Sequence, residues 1–244
     1  QKAAFADLSG REEDRNMTSV KRQMSETYPV ASILAAAGGF LDAYSYVCRD
    51  GVFANAQTGN IVLLGISAFR NDWLALVKYL VPIVMFVLGV AMAEWIRKRF
   101  SDSRFHWRQY IILIESAVLA AAAFIPVGKY NIAANIMISF VCSLQVESFR
   151  KVHSISFATT MCTGNLRTAT ENICKYRLTG EKECLGAGLK VYGIIAFFIL
   201  GVVLGAAVTE ILSNYAMLFA VALLAAVFIL MFIGGGSGGD SNDN

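Results

Sequence analysis

Six apolar stretches dominate the chain, and each is close to the ~20 residues that an α-helix needs to cross a bilayer. Hydrophobic residues make up 56% of the sequence and charged residues only 16%, whereas a soluble domain averages about 25% charged residues. The sequence therefore predicts an all-α, multi-pass protein whose surroundings are the lipid bilayer. The predicted spans cover residues 29–48, 74–96, 108–126, 130–149, 185–209 and 213–233.

Two further segments, residues 54–70 and 156–173, are ambiguous because each carries a polar motif. The first motif is "FANAQTGNIV" at 53–62, and the second is "FATTMCTGNL" at 157–166. Irregular backbone at membrane depth is tolerated only where protein or a watery cavity satisfies its polar groups. Both segments are therefore expected to line an interior cavity, either as re-entrant or broken helices or as two additional full spans.

The distribution of lysine and arginine distinguishes these two arrangements, because cytoplasmic loops are enriched in both residues. If both segments cross the membrane, the basic residues divide almost equally between the two faces. If both segments dip in and return, one face keeps only Arg49, Arg70, Lys78 and Lys129. We expect this second arrangement, with six spans and both termini in the cytoplasm. Its basic face collects Lys21, Arg22, Arg97, Lys98, Arg99, Arg104, Arg108, Arg150, Lys151, Arg167, Lys175, Arg177, Lys182 and Lys190.

The two halves of the chain match each other under fixed shifts along the sequence. A shift of 105 residues places Thr58-Gly59-Asn60 on Thr163-Gly164-Asn165 and Asp42 on Glu147. A shift of 112 places Phe86-x-Leu88-Gly89-Val90 on Phe198-x-Leu200-Gly201-Val202. If each half holds three spans and one re-entrant or broken helix, the odd number of crossings turns the second copy upside down. The predicted fold is therefore two inverted repeats, and the alternative is eight helices in two parallel repeats.

Four segments follow from this pattern. Residues 1–26 form a polar N-terminal segment that partly resembles an engineered extension, residues 27–126 the first membrane repeat and residues 127–233 the second. Residues 234–244 form a tail that begins with "GGGSGG", a composition typical of flexible linkers. The fold is expected to reside in the two middle segments.

The polar motifs are expected to form two halves of one substrate site. Glycine allows a sharp turn or a close approach, while threonine and asparagine cap helix starts, so a short helix should begin at each motif. Its unpaired amides would favour an anion or a polar carbonyl near the midplane. The alternative is that each Thr-Gly-Asn triplet only packs one helix against another. The predicted substrate-binding residues are Asn55, Gln57, Thr58, Gly59, Asn60, Thr163, Gly164 and Asn165.

Asp42 and Glu147 occupy equivalent positions just before the two re-entrant segments. Carboxylates inside membranes are costly and commonly mark ion or proton paths, so both are predicted to couple transport to a proton or sodium ion. The alternative is an interfacial role, with each carboxylate in water or paired with Arg49 or Arg150. Glu115 lies in the middle of a span and has no acidic counterpart at Ala220, which makes it a weaker candidate.

The motif "GGFLDAYSY" followed by "GVFANAQTGNIV", with "CTGNLR" in the second half, resembles the YoaK-like family of bacterial membrane proteins of unknown function (UPF0700 type). The resemblance covers residues 27–233. It implies a protein of the bacterial inner membrane, expected to be a transporter. It places the functional positions at Asp42, Asn55 and Gln57 and in the two Thr-Gly-Asn triplets, although Cys162 stands where the first motif has Gln57.

The expected function is secondary transport of a small polar or anionic metabolite, and the alternatives are a passive channel or a scaffold or sensor that does not transport. No enzyme motif, nucleic-acid partner or cofactor is expected, because the cysteines and two histidines offer no metal-ligand spacing and the basic residues are dispersed over short loops. Gly38-Gly39 and Gly201-x3-Gly205 predict close helix contacts. These contacts should form within one chain, with a homodimer as the alternative.

Overall fold

The computed structural model describes residues 27–99, 107–149 and 162–236, together with two short strands at 151–152 and 155–156. The predicted N-terminal segment lies outside the described residues, as does most of the linker-like tail. Strands β1 and β2 pair antiparallel, with Lys151 opposite Ser156. The helices are α1 (Tyr28–Cys48), α2 (Gln57–Phe69), α3 (Trp73–Arg99), α4 (Trp107–Ala122), α5 (Asn131–Ser148), α6 (Cys162–Thr179), α7 (Lys182–Leu212), a 3-10 turn (Ser213–Ala216) and α8 (Met217–Gly236).

Three stretches of the described chain are long and apolar enough to cross a membrane: Tyr28–Cys48, Trp73–Arg99 and Lys182–Ile233. The last stretch contains two of the six predicted spans, since the 3-10 turn separates α7 from α8. The predicted spans at 108–126 and 130–149 form α4 and α5, and their crossing of the bilayer stays a prediction. Helix α2 has 13 residues, which reach only about 20 Å of a ~30 Å hydrocarbon core.

Helix α1 is the centre of the bundle. In the most apolar stretch of α1, 78% of the residues are buried inside the protein, compared with 11% in α3. The outer surface of α3 is rich in exposed aliphatic side chains. Helix α1 packs chiefly against α7 and α8, while α3 packs chiefly against α5. Helix α4 contacts α5 and α8, and the two shorter helices α2 and α6 lie on α3 and α7 respectively. This arrangement puts the polar residues of α1 inside the protein and apolar surfaces of α3 and α7 outside.

Glycines set the distance between the most closely packed helices. On α1, Gly39 faces the carbonyl of Phe198, and on α7, Gly201 and Gly205 face the carbonyls of Ala36 and Phe40. A side chain at any of these glycines would collide with backbone of the facing helix. The prediction that these glycines make close contacts within one chain is therefore confirmed. These surfaces are therefore used inside the protein, and the homodimer stays a prediction.

Four connections meet at one end of the bundle. Arg49, just after α1, donates to the carbonyl of Ile125 in the α4–α5 connection at 2.8 Å. Tyr44 donates to the carbonyl of Asn214 in the 3-10 turn, at 3.3 Å. Asp72, between α2 and α3, lines a cavity together with Lys129. The end of α1, the end of α2, the α4–α5 connection and the α7–α8 connection therefore lie on the same side.

The contact between α1 and α7 yields a matched test. In Gly201→Ala the added methyl group meets the Ala36 backbone, whereas at Gly186, on the same helix, nothing lies within 4 Å. Overpacking typically costs about 1–3 kcal/mol, and alanine is otherwise the better helix former. We expect Gly201→Ala to melt at a lower temperature than wild type in detergent, and Gly186→Ala to melt at the same or a higher temperature. Equal melting of the two variants would contradict the packing.

Candidate functional site

The connection between α1 and α2 turns back along the side of α1. Asp42 accepts a hydrogen bond on Oδ1 from the backbone amide of Asn55 at 2.6 Å and a longer one from Ala56 at 3.4 Å. The side-chain amide of Asn55 donates to the carbonyl of Gly38 at 3.3 Å. Gly38 precedes the end of α1 at Cys48 by ten residues, about 15 Å of helix. Helix α2 therefore starts beside the middle of α1.

Asn60 holds this connection in shape. Its side-chain oxygen accepts from the amide of Phe53 at 3.0 Å, and its amide group donates to the Phe53 carbonyl at 2.8 Å and to Oε1 of Gln57 at 2.9 Å. The residue is fully buried, so its polar atoms serve the protein rather than a ligand. Gly59 is needed beside it, because a Cβ there would lie 2.8 Å from the Phe53 ring.

Both short helices begin at the polar motifs, as predicted, but the predicted caps are wrong. Helix α2 begins at Gln57, with Ala56 as its N-cap and no capping side chain, and α6 begins at Cys162. Thr58 and Asn60 lie inside the first turn of α2, as Thr163 and Asn165 do in α6. The physical reason in α2 is that the Asn60 side chain reaches back to Phe53 instead of to the first amides of its own helix.

The two motifs meet at a cavity of about 300 Å³. Asn55, Gln57 and Thr58 line one side, and Cys162, Thr163 and Gly164 line the other. Of the predicted substrate-binding residues, Gly59, Asn60 and Asn165 do not line it, and the two asparagines are buried. The remaining lining residues are Ala56, Phe86, Val146 and Phe198.

The repeat pattern in the sequence pointed to the two aromatic residues of this cavity. Phe86 and Phe198 are matched by the shift of 112 residues, at the start of the repeated Phe-x-Leu-Gly-Val pattern. Nothing in that pattern distinguishes a cavity-lining ring from a lipid-facing one, because both positions lie in uniformly apolar helices. Their recurrence in both halves was the only indication of a shared role.

The two predicted coupling residues differ in their surroundings. Asp42 is 4% exposed, and its Oδ2 has no hydrogen-bond partner within the described part of the chain. An interfacial Asp42 in water is thus excluded. Arg49 is not its partner, because this buried guanidinium binds Tyr44, Asn131 and main-chain carbonyls of the α4–α5 connection. Glu147 is partly exposed and does not line the cavity, where its neighbour Val146 lies.

A sequence model of the family described as "Protein of unknown function (DUF1275)" matches residues 30–230, which include every candidate site residue. The chain belongs to this family. A relative from Bacillus subtilis (strain 168), the "UPF0700 transmembrane protein YoaK", is 24% identical over 152 residues. The match covers 58% of this chain and 65% of the relative, so the chain spans less than two thirds of that protein's length.

No solved structure matches the chain. The resemblance to the YoaK-like family is confirmed by the family match and by this relative. Together with the long apolar helices, the relative's description as a transmembrane protein places this DUF1275 chain in a membrane.

Asn60 provides a test of the connection before α2. Asn60→Leu removes the bonds to both main-chain groups of Phe53 and to Gln57, and each polar group left buried without a partner costs about 1–3 kcal/mol. Thr58→Val, two residues earlier, changes an exposed side chain and serves as the control. We expect a clearly lower melting temperature in detergent for Asn60→Leu and little change for Thr58→Val. If both variants melt like wild type, Asn60 does not hold the loop.

Proposed function

We propose that this protein is a secondary transporter of a small polar or anionic metabolite, which binds in the cavity between the starts of α2 and α6. The observation that carries the proposal is that residues of both Thr-Gly-Asn motifs, about a hundred positions apart in sequence, line one cavity. Helices that break near the midplane and meet at a polar site are typical of such transporters. The proposal assigns binding and movement of a solute, not a chemical reaction.

Helix packing supports the inverted repeats on which the proposal depends. In the predicted repeats, α1, α3 and α4 of the first half correspond to α5, α7 and α8 of the second. The contact of α1 with α7 should then recur as a contact of α5 with α3. The contact of α1 with α8 should likewise recur as a contact of α5 with α4. All four pairs are in contact. Gly201 faces the carbonyl of Ala36, while its counterpart Gly89 faces the carbonyl of Phe140. Equivalent glycines thus make equivalent contacts in the two halves.

The course of α2 supports a re-entrant segment. The chain leaves α1 at the end of the bundle marked by Arg49, returns to the level of Gly38, and ends α2 beside Asp72 at the same end. It therefore enters and leaves on one side. By the lysine and arginine distribution this side is external, and both termini are cytoplasmic in a bacterial inner membrane.

The cavity lining suggests the class of substrate. Gln57, Thr58 and Thr163 offer polar side chains, and the first turns of two helices bring main-chain amides and a positive dipole end. Phe86 and Phe198 offer apolar surface. A volume of about 300 Å³ is at the small end of ligand pockets. A compact metabolite with a carboxylate, carbonyl or hydroxyl group fits this lining, and Asp42 and Glu147 are proposed to couple its movement to a proton or sodium ion.

Thiol labelling tests the shared cavity. In a protein whose five native cysteines are replaced, we expect single cysteines at 57 and at 162 to react with a membrane-impermeant reagent from opposite sides of the membrane. The control is Val87→Cys, since Val87 is 62% exposed on the outer surface of α3 and should face lipid. Labelling of both test positions from one side only would instead favour parallel repeats.

Transport itself is tested in proteoliposomes with a panel of radiolabelled amino acids, carboxylic acids and polyols. We expect at least one compound to show counterflow and uptake driven by a proton or sodium gradient. Asp42→Asn should abolish the dependence on the gradient, while Glu94→Gln, at an exposed cytoplasmic pair with Arg97, should not. Rapid downhill flux without counterflow would favour a channel, and absence of any flux across the panel would count against transport.

A further inference from the structure

We propose that Glu115 is a second proton-binding site, connected to Asp42 by a polar stripe along α5. The inference rests on the proposed transport function, which it deepens by naming the proton as the coupling ion and by adding a residue outside the cavity. Sequence comparison between the halves gave Glu115 no acidic counterpart, because Ala220 occupies the equivalent position. The two repeats would then share the substrate site but not the proton path.

Glu115 lies in the interior of α4 and is fully buried. Neither of its carboxyl oxygens has a hydrogen-bond partner within the described residues. A charged carboxylate in such a place is very costly, and a buried acid becomes neutral instead unless a cation or several donors compensate it. The neutral, protonated acid is therefore the form that fits this site.

The polar stripe consists of Asn131, Asn135, Ser139 and Cys142. They follow each other at spacings of four, four and three residues, so they share one face of α5. All four are buried. Asn135 Oδ1 and Ser139 Oγ lack hydrogen-bond partners among the described residues, which leaves them able to bind a proton carrier such as water. A row of polar groups, two of them with spare bonding capacity, thus runs along the buried face of α5.

Cys142 is the stripe residue that lies near both acids. Its thiol lies within electrostatic range of Glu115 and Asp42 and close to the side chain of Asn55, which lines the substrate cavity. Asp42 also presents an unpaired oxygen, Oδ2. A proton that passes from Asp42 to Glu115 would break the O–H bond at Asp42 Oδ2 and form a new one at a carboxylate oxygen of Glu115. Asp42 would then carry the negative charge, which the Asn55 and Ala56 amides stabilise through Oδ1, and Glu115 would be neutral.

The groups around Glu115 provide no permanent counter-charge. Helix α4 packs against α5, α8 and, less extensively, α3. The described side chains of α8, residues 217–233, include no ionisable group, and neither do residues 80–93 in the middle of α3. On α5 the titratable group within electrostatic range of Glu115 is Cys142, a thiol without permanent charge, and this thiol is also within range of Asp42 on α1. A metal cation would need several oxygen ligands, whereas a proton needs only one of the unpaired carboxyl oxygens.

Arg49 gives the path a direction. It donates to Asn131 at the outer end of the stripe at 3.1 Å, and to carbonyls of the α4–α5 connection. A fixed positive charge in a narrow path repels protons. Protons should therefore reach Glu115 from the Asp42 end, through the substrate cavity. This arrangement would let occupation of the cavity by substrate control protonation of the interior acid.

Infrared spectroscopy of the reconstituted full chain tests the site directly. At neutral pH we expect a C=O stretching band of a protonated, weakly hydrogen-bonded carboxylic acid, which disappears in Glu115→Gln and persists in Glu94→Gln. The band should shift on transfer from H₂O to D₂O, and Ser139→Ala should slow that shift at least several-fold. Absence of the band in wild type, or its persistence in Glu115→Gln, would overturn the proposal.

This readout does not depend on transport. If the metabolite panel shows no flux but the Glu115 band is present and exchanges through Ser139, the proton site stands and the transporter assignment fails. If transport occurs but the band is absent, the transporter stands and Glu115 is not its proton site. Should Glu115→Gln fail to fold, Glu115→Asp keeps a carboxylic acid at this position. A C=O band at a different frequency in that variant would then assign the band to residue 115. An unchanged band in Glu115→Asp would exclude Glu115.

Discussion

The hydrogen bonds around the start of α2 are the constraint on which the structure depends, because a helix that starts beside the middle of a membrane span exposes main-chain groups that lipid cannot satisfy. Asp42 accepts from the Asn55 and Ala56 amides, and Asn60 pairs with both main-chain groups of Phe53. These two side chains replace the hydrogen bonds that an unbroken helix would have provided. The polar character of the first motif is therefore a structural requirement before it is a functional one.

Close helix contacts then position the cavity. Because Gly201 and Gly205 let α7 approach the backbone of α1, Phe198 can reach the space beside Asn55. Gly89 does the same for α3 against α5, which brings Phe86 to the other side of that space. Small residues at the interfaces thus decide where the larger rings lie, as is common when helices associate without a hydrophobic driving force. The lipid-facing surfaces of the same helices need only be apolar.

The sequence predicted the helices and their starts at both motifs, because the length of an apolar stretch is a local property. It also predicted the glycine contacts, because small residues mark close approach between straight helices. It missed the caps, since the Asn60 side chain bonds to a loop seven residues earlier, a choice that depends on how the loop folds. It also treated Asp42 and Glu147 as equivalent. Burial separated them, with Asp42 inside against α2 and Glu147 partly exposed beside the cavity-lining Val146. The match between the two halves in sequence cannot show this difference in burial.

The asymmetry of the two motifs follows the same physics. Gly59 lies beneath the Phe53 ring, whereas nothing lies within 4 Å of a Cβ at Gly164, and Gln57 is replaced by Cys162. The first half uses its polar groups to hold a loop against α1, while the second presents Thr163 and Gly164 at the surface of the cavity. The buried acids lie in the first half, Asp42 on α1 and Glu115 on α4, but α1 packs chiefly against α7 and α8, and α4 against α5 and α8. Any movement of one half against the other would therefore change the surroundings of both acids, as coupling of a solute to a proton requires.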